Sequence, residues 1–182
     1  MAIFNKKEQP WMTEPYLQGD FNNTCGIFSI LNAYKIIYEA NEDSTYFLYE
    51  EIVRYFIKKR MWADISLDGM NFKQMNMVMR DVGSKYLDYK VSWMSFPTPT
   101  LTIFWNSMKS HLRDNKGCVI LGISNREEHW TVAEKSTPRG IRLCDSNGWK
   151  YLRKHMCTMY KTEWNRYYLT PAQNFFIFGK GE

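Results

Sequence analysis

Between Cys25 and Tyr38 the apolar residues Ile27, Ile30, Leu31, Tyr34 and the pair Ile37/Tyr38 recur every three or four positions. That spacing lines one face of an α-helix. Residues 1–24 show no such rhythm. Pro10, Pro15, Gly19 and an Asn pair break them, so they read as irregular chain, with Thr24 placed to cap the helix that follows. A second helix is predicted over about 44–60, with Ser44 as its cap and Phe47, Leu48, Ile52, Tyr55 and Phe56 on one stripe. A third is predicted over about 70–81, with Phe72, Met75, Val78 and Met79 inward and its end near Gly83. The methionines of this stripe read as core rather than as a partner surface. A short strand at 86–92, a turn at Phe96-Pro-Thr-Pro-Thr and a helix over about 101–113 come next.

Beyond residue 115 the period changes from helix to strand. Cys118–Ile123, His129–Glu134 and Gly140–Asp145 read as strands of an antiparallel sheet, residues 135–139 as a hairpin turn, and Asn174–Phe178 as a last strand. Helices come first and a sheet follows, which predicts an α+β fold. The whole chain, 1–182, reads as one domain, with a helical part at about 25–115 and a sheet part at about 117–179.

Composition adds limits. The chain is 45% hydrophobic and 16% aromatic, enough to bury a core. Its net charge of +5 is mild and its basic residues are dispersed, so no nucleic-acid partner is expected. The one basic run, Lys58-Lys59-Arg60, reads as a solvated helix end that suits the helix dipole. No segment approaches the ~20 apolar residues needed to span a bilayer, and the start lacks an apolar signal core. The expectation is a cytoplasmic protein, or one exported without a visible cleaved signal. The oligomeric state is left open.

Four cysteines, Cys25, Cys118, Cys144 and Cys157, form no Cys-x-x-Cys pair. All four are expected to be reduced. A metal site built from Cys144, His155 and Cys157 lacks paired-ligand spacing, so no metal and no cofactor is expected.

Cys25 differs from the others in standing where a helix begins. A helix N-terminus stabilises a thiolate. Gly26 beside it leaves room for a substrate backbone. A base must come from His111, His129 or His155, the only histidines. His111 sits near the end of an amphipathic helix and His155 in a charged stretch. His129 begins a strand just after a polar loop. If the hairpin turn centres on Thr137, Ala133 faces Ile141, Thr131 faces Leu143 and His129 faces Asp145. Asp145 would then hold the imidazole tautomer, as the third member of a triad does. The same alternation sends Trp130, Val132, Arg142 and Cys144 to the other face, so Cys144 reads as structural.

Gln18 with Asn-Asn-Thr-Cys25-Gly-Ile-Phe-Ser-Ile-Leu-Asn, Gly117-Cys-Val-Ile-Leu-Gly-Ile-Ser with His129-Trp-Thr-Val-Ala, and Leu143-Cys-Asp145-Ser-Asn-Gly-Trp149 together resemble the papain-like cysteine peptidases. The likeness is to the bacteriocin-processing peptidase domains and to papain-fold bacterial effectors and toxins. It leaves residues 41–110 uncovered. It implies a papain-like fold acting on a protein or peptide. Cys25 would be the nucleophile, His129 the base and Asp145 its orienting partner. Gln18 and the Cys25 N–H would form the oxyanion hole. Gln18 precedes Cys25 by more than the family's usual spacing, so Asn22 and Asn23 are alternatives. The family's aromatic cover over the triad falls to Trp149 or Trp130. The same triad serves glutamine deamidases and transamidases, which share the thioester, and a catalytically silent binding module is a further alternative.

Overall fold

The computed structural model describes residues 13–19, 23–91, 100–113 and 117–179. Asn22 and residues 96–99 of the expected Phe96 turn lie outside them. The fold is α+β. Among the described residues, five α-helices run α1 Cys25–Tyr38, α2 Glu42–Lys58, α3 Trp62–Asp68, α4 Phe72–Asp81 and α5 Leu101–His111. The described residues also hold seven strands, β1 Asp88–Val91, β2 Gly117–Ser124, β3 His129–Thr137, β4 Gly140–Cys144, β5 Tyr151–Leu152, β6 Cys157–Thr158 and β7 Tyr167–Phe178. They form one sheet in the order β1-β7-β2-β3-β4-β5, every neighbour antiparallel, with β6 pairing parallel to β7.

The sheet is covered on both faces. Cys118, Ile120, Trp130, Val132, Cys144, Phe175 and Ile177 pack towards α1, α2 and α4. Val119, Leu121, Ile123, Ala133, Ile141 and Leu143 pack towards α5 through Phe104, Trp105, Met108 and Leu112. β2 lies between two apolar layers, and for that reason its sequence is one continuous apolar run instead of an alternation.

The helices follow their patterns with shifted ends. α2 starts at Glu42, not Ser44. Asn41 is its cap and accepts from the Ser44 N–H at 2.9 Å. Leu48, Ile52 and Phe56 are fully buried, whereas Phe47 is exposed, one position off the stripe. α4 begins with a reciprocal box in which Asn71 and Gln74 satisfy each other's backbone N–H groups. Met75 and Met79 are core. The short α3 lies outside the expected elements, because seven residues give too few turns for a periodic signal. It ends at Gly69, whose φ of +84° turns the chain back towards α1.

The hairpin differs from the expected register. Thr137 pairs with Gly140, so the turn is Pro138-Arg139 and lies nearer the C-terminus than a centre on Thr137. Lys135 pairs with Arg142, but Ala133 pairs with Leu143, and Glu134 is the extra residue of a β-bulge. Val132 then faces Cys144, and Asp145 stands just beyond the end of β4. The expected pairing of His129 with Asp145 is therefore replaced by a diagonal relation, while His129 pairs with Ile123 of β2.

Candidate active site

α1 begins at Cys25, and its first backbone bond runs from the Phe28 N–H to the Thr24 carbonyl at 3.1 Å. The N–H groups of Cys25, Gly26 and Ile27 precede the helical ladder, and the helix dipole leaves positive potential there. Thr24 does not cap with its side chain. Its ψ of 19° is outside the extended region that would aim the hydroxyl into the first turn. Cys25 is 7% exposed and lines a cleft of about 490 Å³ between α3, the start of α4 and the β2–β3 end of the sheet.

His129 Nε2 lies 2.7 Å from Asp145 Oδ2, with His129 4% and Asp145 1% exposed. The other carboxylate oxygen, Oδ1, accepts from the backbone N–H groups of Asn147 at 2.9 Å and Trp149 at 3.0 Å. Asp145 is thus clamped by its own loop before it meets the imidazole. Burial would raise its pKa, but the His129 hydrogen bond and charge, aided by the Trp149 N–H, hold it below the usual carboxylate range. Burial likewise works against a charged His129. Hydrogen bonds to Asp145 and to the Cys25 side chain outweigh it, and its pKa rises from 6.5 to about 9. With Nε2 engaged by Asp145, Nδ1 is the nitrogen left for the thiol.

The bulge brings the pair together. Without Glu134, the pairing set at the turn would place Asp145 opposite Val132, whose side chain faces the helices. The extra residue shifts Asp145 into the alternate set of Thr131 and His129, within diagonal reach of the imidazole. The Glu134 carboxylate is itself held, by Arg142 Nε at 3.1 Å and by the Thr13 N–H at 3.0 Å.

Both tryptophans are at the site in different roles. The Trp149 ring lies over His129, with centroids 5.0 Å apart. Trp130 donates from Nε1 to the Met70 carbonyl at 2.6 Å and lines the cleft. Gly26 is buried, and a Cβ there would meet Met70 at 3.0 Å and Trp130 at 3.3 Å. Its missing side chain admits those two residues rather than a substrate backbone.

Gln18 is brought to the Asp145 loop. Its N–H donates to the Ser146 carbonyl at 3.3 Å and its side-chain Nε2 to Asn147 Oδ1. Asn23 ties the start of α1 to α3, its N–H to the Ser66 carbonyl and its side chain to the Leu67 carbonyl. One amide proton of each is committed to holding the framework. Asn22 is outside the described residues.

Several cleft residues are absent from the sequence-based candidates. Asp64, Asp68 and Glu128 line the cleft, and no Lys or Arg does. The i, i+4 spacing of Asp64 and Asp68 carries that signal once α3 is recognised. Gln173 also enters the cleft. β7 departs from its pairing with β2 between Leu169 and Asn174, and Gly122 opposite has no side chain to exclude the Gln173 side chain.

The other cysteines and histidines are placed elsewhere. All four cysteines are free. Burial pushes the thiols of Cys118 and Cys144 up, and that of Cys157 up to about 12. Cys144 and Cys157 pack on opposite faces of the sheet. His111 Nε2 donates to the carbonyls of Ile177 at 2.8 Å and Cys118 at 3.2 Å, a structural latch between α5 and the sheet. Among the described residues no helix is long and apolar enough to cross a membrane. No protein-family model matches the chain, and no characterised protein matches it significantly in sequence.

Proposed function

We propose that this protein is a cysteine-dependent amide hydrolase of papain-like type, a peptidase whose cleft favours substrates with a cationic side chain. One observation carries the reading. The buried His129 imidazole is hydrogen-bonded to a carboxylate whose other oxygen is clamped by two backbone N–H groups, and it lines the same cleft as Cys25, the first residue of a helix. A structural histidine has no need of a thiol at a helix N-terminus on one side and a buried, backbone-clamped Asp on the other. Asp64, Asp68 and Glu128 support the substrate preference, because a cleft lined by one sign of charge raises the local concentration of the opposite sign.

In this reading the Cys25 thiol gives its proton to His129, and the thiolate attacks the amide carbon. The tetrahedral oxyanion is stabilised by the Cys25 backbone N–H, with the free amide proton of Gln18 as the second donor. Such donors contribute about 3–4 kcal/mol each. The C–N bond breaks, His129 protonates the departing amine, and a thioester remains on Cys25. Water, deprotonated by His129, then attacks the thioester. The C–S bond breaks, the acid leaves and the thiol is restored. Asp145 keeps Nε2 protonated throughout and stabilises the imidazolium. Trp149 shields the His129–Asp145 pair from water, which strengthens it.

The test is alkylation with iodoacetamide followed by peptide mapping, alongside mass analysis of a peptide library. Cys25 should react well before Cys118, Cys144 and Cys157, and peptides should be cut beside Lys or Arg. Equal reaction at all four cysteines sinks the proposal. A mass change without cleavage would move the chemistry from the peptide bond to a side-chain amide.

A further inference from the structure

β3 carries His129 at one end and the hairpin turn at the other, eight residue rises or about 26 Å away. At the turn end a second cavity, of about 410 Å³, opens between the β3–β4 turn, α5 and the segment after β5. Lys109, Arg139, Arg153, Lys154 and His155 line it together with Ser136 and Thr137, and no carboxylate does. None of these five basic residues takes part in an ion pair among the described residues. Unpaired cations occur elsewhere on the surface, Lys58, Lys59 and Arg60 among them; what is particular here is that five basic side chains from three segments line one concavity.

The walls are held in place. The Thr137 hydroxyl donates to the Gly140 carbonyl and accepts from the Arg139 N–H, which fixes the turn that carries Arg139. Gly140, at φ +135°, lies so close to the Leu152 carbonyl that a Cβ would meet it at 2.5 Å. That approach sets Arg153 beside the turn. Lys154 Nζ donates to Thr102 Oγ1 at 3.0 Å, joining the same segment to α5. Trp105, 6% exposed, contributes the indole of the remaining wall.

Four permanent cations in one concavity repel each other and focus positive potential. They exceed the charge of one carboxylate or one monophosphate. Arginine matches phosphate oxygens with a planar fork of donors. We infer that this cavity binds a free anion bearing two or more phosphoryl groups. The inference is independent of the chemistry at Cys25, so binding is its readout.

The experiment is calorimetric titration of the full chain with inorganic triphosphate, at fixed ionic strength and against sulfate. Saturable one-to-one binding is expected. Arg139→Ala with Arg153→Ala should weaken it at least tenfold. Arg54→Ala with Lys58→Ala removes the same charge from α2 and should leave it within twofold. All four positions are exposed, so the variants should fold, and equal melting temperatures would verify this. Equal losses in the two double variants, affinity no greater than for sulfate, or capture only by vesicles containing a phosphorylated inositol lipid would each overturn the inference.

Discussion

The two ends of β3 carry opposite charge. At the His129 end the cleft is lined by three carboxylates and no Lys or Arg, and at the turn end the cavity is lined by five basic residues and no carboxylate. The chain as a whole is at +5, so the acidic end runs against the average. The ends also differ in how their polar groups are satisfied. The imidazole and carboxylate of His129 and Asp145 are buried and bonded to each other. The cations of the turn end are exposed, apart from the half-buried Lys154, and have no acidic partner among the described residues. One end satisfies its polar groups internally, and the other turns its charge outward. Net charge conceals both.

The largest test of that contrast is Cys25→Ala. It should lower amide hydrolysis by about 10⁴-fold or more and leave triphosphate binding unchanged, as single-turnover assays and calorimetry would show. Loss of both would mean that the ends are one site. Asp145→Asn comes next. It keeps the shape but cannot stabilise the imidazolium, so turnover should fall by roughly 10³-fold. The alkaline limit of turnover should also move down, because Asp145 supports the raised His129 pKa.

In the unaltered protein that limit should lie near pH 9, where His129 loses its proton. Its folded pKa is raised, so the stability it contributes is fully present below about pH 6.5 and is lost as the pH rises through about 9. Asp145 has the opposite sign: its contribution is present above its unfolded value and is lost as the pH falls through its lowered folded value. Melting temperature against pH should therefore decline at both ends, and a flat profile from pH 6.5 to 9.5 would contradict the coupling.

Asp64→Asn, Asp68→Asn and Glu128→Gln combined should cut kcat/KM for a Lys- or Arg-containing peptide by about tenfold at low salt. Added salt should shrink the difference, because these groups are exposed. The smallest effect is expected at the bulge. Glu134→Gln weakens the bond to Arg142 and should cost about 1 kcal/mol in urea unfolding, with turnover falling only modestly.

The sequence displays the acidic end only in part. Cys25, His129 and Asp145 can be picked out because a helix start, a strand start and strand alternation are local features. The pairing of His129 with Asp145 was legible only up to parity. The turn location and the bulge differ from the expected hairpin in ways that compensate, since the net displacement is two residues and preserves the face. Asp64 and Asp68 were obscured by a helix too short to show a period. Gln173 enters through an interruption of β7 that no alternation pattern encodes. The cavity at the turn end gathers residues from three separated segments, and each of them alone looks like ordinary solvated surface.

The extra residue at Glu134 also determines which length changes the chain can tolerate. His129 and Asp145 are sixteen residues apart, and the face that Asp145 takes is set by the bulge inside the paired strands, not by the length of the turn outside them. A residue added between Pro138 and Arg139 can be looped out with every strand pair kept. A residue removed at the bulge cannot, because Asp145 would then stand opposite Val132, whose side chain faces the helices. The hairpin is therefore tolerant at its tip and intolerant at Glu134. Insertion of one glycine in the turn should leave hydrolysis nearly unchanged, and deletion of Glu134 should abolish it.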